Sequence, residues 1–351
     1  MRAAVFHGAG DVRVEQVPDP GAPAPDEVVL EVRRAAICGS DAAEFSHGPE
    51  MVPLHHRHPA SGHQGPTVLG HEFVGVVSRA GDEVEGLEVG DRVVPGATDW
   101  CGECDWCRAG RINLCRDRYL VGMHRDGGLA EQVTVPAKMC RPVAEHCTDD
   151  AAAIAQPLAV AMHGIERAEV GEGPVVVIGA GGIGSFVIAA AASRGAEVLA
   201  IDISPAKLRT AEVAGAAETI LADDPGLTER VAELNGGGGP AVVIEASGAP
   251  PAPAMALDLV RRGGTILLLG MQAQPRELDL WKLAQSEVDI VTSNAHVCDR
   301  NLAPALALLA DTDLAERVIG DRIGLDELVA RGLAPLSEGT APGKIVVDPG
   351  R

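Results

Sequence analysis

The chain has 351 residues, with 29 basic side chains against 50 acidic ones and a formal net charge of −21. That length leaves room for two domains, each with its own core. The charge argues against nucleic acid or an anionic membrane as a partner.

No apolar run approaches the ~18 residues of a membrane-spanning helix. The N-terminus acquires charge by Asp11, before any apolar core of signal-peptide length. Eight cysteines in such a chain point to metal or free thiols rather than disulfides, and the cytoplasm is the expected address.

Through Ile37 apolar and polar residues alternate, and Pro18, Pro20, Pro23 and Pro25 mark a turn before Glu27-Val-Val-Leu-Glu-Val-Arg33. This reads as antiparallel β structure. Ile37-Cys-Gly-Ser-Asp41 breaks the pattern. Val68 to Val77 resumes it, and the turns at Gly81-Asp and Gly90-Asp complete the rhythm of a small barrel-like domain. Cys101-Gly-Glu-Cys104-Asp-Trp-Cys107, followed by Cys115, is the strongest local signal. Four thiolates at these spacings can close a tetrahedron around Zn²⁺, and closed four-sulfur sites are structural. An iron–sulfur centre is the alternative; the polar surroundings and the lack of a Cys-Pro after Cys115 favour zinc. Gly127 to Val135 reads as a further strand and Asp149 to Gly164 as a helix.

The stretch from Val175 to Asp202 organises the second half of the chain. Val175 to Ile178 is a buried-strand pattern, and Gly179-Ala-Gly181-Gly182-Ile-Gly184 comes at once after it. An alanine-rich helical run extends to about Arg194, and Val198 to Ile201 is the next strand, ended by Asp202. Strand, glycine turn, helix, strand and acid make a dinucleotide fingerprint. Gly179 permits the tight turn, Gly181 lets the backbone approach a pyrophosphate, and Gly184 lets helix and strand pack closely. The helix N-terminus offers amides and a positive dipole end to the phosphates. Asp202 can accept hydrogen bonds from the adenosine ribose and would repel a 2′-phosphate, which favours NAD over NADP. Ile183 within the turn joins the candidate cofactor set. Ala241 to Gly248 and Thr265 to Gly270 are buried parallel-strand patterns, and Gly270 ends one of them at the crevice. From about Leu302 two short helical stretches lead to a closing strand, Lys344 to Asp348, expected to return to the N-terminal domain.

These residues together resemble the zinc-dependent medium-chain alcohol dehydrogenases, and within them the sorbitol, threonine and (R,R)-2,3-butanediol dehydrogenases. The resemblance runs through Cys38-Gly-Ser-Asp41, Gly70-His-Glu72, Gly90-Asp-Arg-Val93, the four-cysteine lobe, Pro157-Leu-Ala-Val-Ala-Met-His163, the glycine fingerprint and Lys344-Ile-Val-Val. It implies an α/β fold: a GroES-like, mostly antiparallel β domain from residues 1–155 and 299–351, with a structural zinc lobe at about 97–118. A Rossmann NAD-binding domain at 156–298 is inserted between them. It further implies that Cys38, His71 and Glu72 ligate a catalytic zinc, that Asp41 orients the ligand histidine, and that Ser40 takes the alcohol proton. Asp202 would hold the ribose and Lys207 lie along the adenosine.

The sequence departs from that pattern in three places. Gln156 stands where relatives carry a glutamate near the zinc, so its ligation is open. Ala43 stands where they carry a relay histidine, leaving bulk water or His47 to complete the proton path. His55, His56, His58 and His63 crowd one loop, as a third metal site or, favoured here, a solvated loop. The activity expected is hydride transfer between NAD(H) and a secondary alcohol or ketone, a diol, polyol or related metabolite, with two zinc ions per chain. Alternatives are an NAD(P)H-dependent reductase of a specialised metabolite (sugar, cyclitol or amino alcohol) and a non-catalytic zinc- or nucleotide-binding relative. A homodimer or homotetramer is expected.

Overall fold

The closing strand Lys344–Asp348 runs antiparallel to Glu27–Ala36, with Val346 opposite Ala36, in the computed structural model, which describes residues 1–272 and 274–351. That pairing folds the two ends of the chain into one unit, residues 1–159 with 297–351; residues 160–296 form a second. Gln156 therefore lies in the first unit.

In the first unit a seven-stranded sheet is built around Glu27–Ala36, which pairs antiparallel with Glu72–Ala80 on one side and with Gln132–Pro136. A three-stranded sheet, Asp11–Gln16, Arg2–Gly8 and Thr67–Val68, stands beside it. Phe6, Leu30, Leu69, Phe73, Leu129 and Met139 fill the core. The stretch expected as one strand from Val68 to Val77 is interrupted at Gly70, whose φ is +98°. A Cβ at Gly122 or Gly127 would lie 2.4 or 2.1 Å from the Gly70 carbonyl oxygen, so three backbone segments meet there with no room for a side chain. The same crowding shortens the expected Gly127–Val135 strand to Gln132–Pro136. The expected helix from Asp149 breaks at Ile154 into Asp149–Ala153 and Ala155–Arg167, with Pro157 in the second helix's first turn, where a missing N–H is tolerated.

The second unit is a six-stranded parallel sheet. Its spatial order is Glu218–Leu221, Ala196–Asp202, Gly173–Ile178, Val242–Glu245, Thr265–Leu268, Asp289–Thr292. Counted along the chain this is 3-2-1-4-5-6, the doubly wound order whose direction reverses beside the first strand. Val175, Val176 and Val177 are buried, as a central parallel strand requires. Among the described residues no helix is long and apolar enough to cross a membrane.

Candidate active site and dinucleotide crevice

Cys38 is the N-cap of the helix Gly39–His47, and the Asp41 side chain closes that end by accepting the Cys38 N–H at 2.8 Å. His71 and Glu72 enter from the other side, at the break made by Gly70. The result gathers Cys38, His71 and Glu72 with their donor atoms within 4.8 Å of one another. His71 presents Nε2 to Ser40 Oγ at 3.4 Å, while its Nδ1 faces Asp41 Oδ1 at 3.7 Å. Glu72 is fully buried and pairs with Lys344, whose Nζ lies 2.5 Å from Oε2 and also donates to the Ile37 carbonyl at 2.8 Å.

His71 Nδ1, Asp41 Oδ1 and Glu72 Oε1 are buried without a hydrogen bond, and Glu72 Oε2 has the Lys344 ion pair. Such groups are costly unless a cation satisfies them. Burial opposes a charge on His71, yet Asp41 and Cys38 outweigh it and hold its pKa up to about 10. The pocket thus demands positive charge, and its mixed S, N and O donors fit a zinc ion with one open position. Gln156 is buried in the first turn of the helix Ala155–Arg167. His47 does not join the group: it is exposed on the last turn, about 10 Å of helix axis from Ser40. No side chain at Ala43 reaches further than a methyl group.

The four cysteines form a second cluster with donor atoms within 4.8 Å of one another. The Sγ–Sγ distances are 3.5 Å for Cys101–Cys115, 3.6 Å for Cys104–Cys107 and 4.0 Å for Cys101–Cys107. Four sulfurs bound tetrahedrally to one zinc would lie about 3.8 Å apart. The backbone amides of Arg116 and Cys107 lower the Cys104 thiol to about 6, while burial raises Cys107 and Cys115, so the cluster holds one thiolate readily and metal binding has to displace the other protons. Trp106 on this lobe lies under Arg111, and Trp100, just before it, lies under Lys138.

In the second unit Gly179 adopts φ +97°, and a Cβ at Gly184 would stand 1.9 Å from the Gly179 carbonyl oxygen. Turn and helix therefore touch through backbone alone. A Cβ at Gly182 meets nothing, and one at Gly181 meets only Lys207 Nζ at 3.9 Å, so both border open space, and Ile183 beside them is half-buried. Asp202 is buried at the end of its strand and accepts N–H bonds from Ala180 at 2.8 Å and Ser204 at 2.9 Å. It holds the glycine turn through these bonds. Gly270 packs against Glu245, whose Oε2 would lie 2.5 Å from a Cβ there.

The histidine loop is largely solvated, with His55 and His56 exposed and His58 and His63 half-buried. Among the described residues its imidazoles do not join a three-donor cluster. His58 instead stacks on His124, centroids 4.1 Å apart and planes at 15°. The Ser61 N–H donates to His58 Nδ1 at 3.2 Å and the Leu120 N–H to His124 Nδ1 at 3.1 Å. Both rings are thereby neutral, with the proton on Nε2. His63 Nε2 meets Thr67 Oγ1 at 2.8 Å. Burial, reinforced by His58, Arg118 and His56, depresses the His124 pKa from 6.5 to about 4, and burial with His56 and His63 lowers His58. Between pH 6.5 and about 4 the unfolded chain takes a proton that the folded ring refuses, so stability falls with pH across that window. The shift is worth about 3 kcal/mol at face value, and about 1–2 after allowing for the ring's partial exposure. Thermal unfolding from pH 7 to 4.5 should show a loss in the wild type that His124→Phe, still aromatic but not titrating, reduces. Parallel profiles for the two proteins would dismiss the role of the His124 ring in this loss.

The alcohol dehydrogenase GroES-like domain family matches residues 24–145, and the zinc-binding dehydrogenase family matches residues 182–311. An (R,R)-butanediol dehydrogenase of Neisseria gonorrhoeae is 30% identical over 99% of both chains. The chain belongs to the zinc-binding alcohol dehydrogenase family. The 2R,3R-butanediol dehydrogenase structure from Bacillus subtilis superposes with a TM-score of 0.91 at 26% identity, covering 99% of each chain. A zinc-binding dehydrogenase of Sinorhizobium meliloti 1021, solved with NADP bound, gives 0.85 at 30% identity over 99% of each. This protein is accordingly an oxidoreductase acting on CH–OH groups with a nicotinamide dinucleotide and zinc.

Proposed function

We propose that this protein interconverts a secondary alcohol, a vicinal diol or polyol-like compound, and its ketone, using NAD in preference to NADP. The observation that carries the reading is the trio of half-buried Cys38 and buried His71 and Glu72 beside Ser40. When bound, zinc supplies Lewis acidity to the alcohol oxygen and the dinucleotide supplies the hydride acceptor. Cys38, His71 and Glu72 would hold the metal, with Gln156 as a neutral neighbour rather than a third anion. Asp41 faces His71 Nδ1 and would favour the ring proton on that side, leaving Nε2 to ligate the metal. Ser40 Oγ takes the substrate proton, and with no imidazole at Ala43 and His47 remote, water receives it next. Lys344 neutralises Glu72. In the second unit the helix amides behind Gly181 receive the pyrophosphate, and Asp202 accepts from the ribose and repels a 2′-phosphate.

An absorbance screen at 340 nm over diols, polyols, amino alcohols and cyclitols, run with NAD⁺ and with NADP⁺, tests this. Turnover of a secondary alcohol with NAD⁺ is expected. A preference for NADP⁺ would overturn the Asp202 assignment, and zinc-loaded protein inert with every alcohol would overturn the substrate class.

We also propose a homodimer or homotetramer working in the cytoplasm. The edge strand Asp289–Thr292 exposes Ile290, and the helix Leu280–Ser286 just before it presents Leu280 and Trp281 at 72% and 73% exposure. An uncovered sheet edge with apolar neighbours supports self-association, which light scattering reads directly. The eight cysteines are all unbridged, which supports a reducing compartment.

A further inference from the structure

The strand Val242–Glu245 is buried throughout, and Glu245 is its one charged residue, with no exposed surface at all. A carboxylate in that position is expensive unless donors surround it. Here the donors are neutral: Oε1 accepts the Ser247 N–H at 2.8 Å, the Ser247 hydroxyl at 2.6 Å and the Gly248 N–H at 2.9 Å. The Gln272 amide approaches Oε2 at 3.4 Å. The main-chain oxygen of Glu245 accepts the N–H groups of Leu269 and Gly270, each at 2.9 Å.

These bonds tie together the ends of two neighbouring strands, and packing brings in a third. Ser247, held by the carboxylate, packs on the glycine turn, since a Cβ at Gly179 would lie 2.7 Å from its Cβ. Gly248 is held in the left-handed region, φ +67°. A Cβ at Gly270 would lie 2.3 Å from the Gly248 nitrogen and 2.5 Å from Glu245 Oε2. In an open parallel sheet this is the rim at which ligands bind. An apolar residue would serve the core at least as well, because a buried carboxylate gains little for stability. What the carboxylate adds is one fixed arrangement of two loops beside the dinucleotide turn.

We propose that Glu245 is a positioning residue for the dinucleotide, fixing the Ser247–Gly248 and Leu269–Gly270 segments in their binding conformation before the ligand arrives. Ordering these segments in advance removes an entropy cost from binding. The assignment rests on the reading of this crevice as the dinucleotide site, and it concerns affinity rather than the chemical step.

The test is calorimetric titration of NADH into zinc-loaded wild type, E245Q and S247A, with steady-state kinetics alongside. Glutamine keeps an acceptor for some of the donors but loses the charge-assisted bonds. E245Q should bind NADH about tenfold more weakly and raise KM for the dinucleotide by a similar factor, with KM for the alcohol unchanged. S247A, which removes one donor and no charge, should show a smaller loss in the same direction and carries the test if E245Q does not fold. A wild type that binds while the folded variants bind equally well, or whose two KM values move together, overturns the assignment alone. A wild type that binds neither NADH nor NADPH overturns the crevice reading and this assignment with it.

Discussion

Replacing Cys104 by alanine is expected to remove one zinc per chain and to lower the unfolding free energy by several kcal/mol. The lobe from Cys101 to Cys115 contains a one-turn helix, Asp105–Arg108, and a 3₁₀ turn, Ile112–Leu114, with Ile112 almost its only buried aliphatic side chain. Such a segment has too little apolar surface to offset its own ordering. Its sulfurs, 3.5–4.0 Å apart in the three measured pairs, are set for a common ion, and the free energy of metal binding then stands in for a core. Metal analysis should give two zincs for the wild type and one for the variant, with a lower unfolding midpoint. A variant with both zincs and wild-type stability would remove the structural role.

His71→Ala should act on chemistry rather than on the lobe. It deletes one donor of the Cys38, His71 and Glu72 cluster and leaves Asp41 and Glu72, both fully buried, with Lys344 alone for compensation. Losing the Lewis acid forfeits several kcal/mol of barrier lowering, so kcat/KM should fall by about a thousandfold or more. Metal content should drop from two to one, the remaining ion being that of the four-cysteine lobe. NADH binding by calorimetry should survive, because the glycine turn lies in the other unit. Retention of both metals with turnover near that of the wild type would sink the assignment of this trio.

Much of this architecture could be read from the residues, for identifiable physical reasons. A central parallel strand is buried on both faces, so Val175–Ile178 reads as an unbroken apolar run, and the glycines after it are required by backbone contacts alone. Cysteines spaced two residues apart in a polar loop add nothing to a core, so the spacing itself points to a metal. What escaped was whatever depends on distant pairing. The strand Ile319–Gly324, Ile-Gly-Asp-Arg-Ile-Gly, has no apolar run and exists because it pairs parallel with Lys344–Asp348. His58 and His124 lie far apart in sequence, and nothing local marks them as a stack. Glu245 did carry a signal, a lone acid ending an apolar strand, but only the surrounding amides show what it holds. His47 illustrates the opposite error: closeness in sequence to Ser40 suggested a relay that a helix of nine residues carries out of reach.

The placement of the tryptophans bears on how both experiments can be followed. Trp100 and Trp106 bracket the start of the four-cysteine lobe, each with a cation over its ring, while Trp281 alone reports from the dinucleotide unit at 73% exposure. Intrinsic emission therefore separates into two optical channels. Chelation of the lobe metal should alter the pair at the lobe, whereas the solvated, red-shifted component from Trp281 should respond to whatever covers that face of the sheet edge.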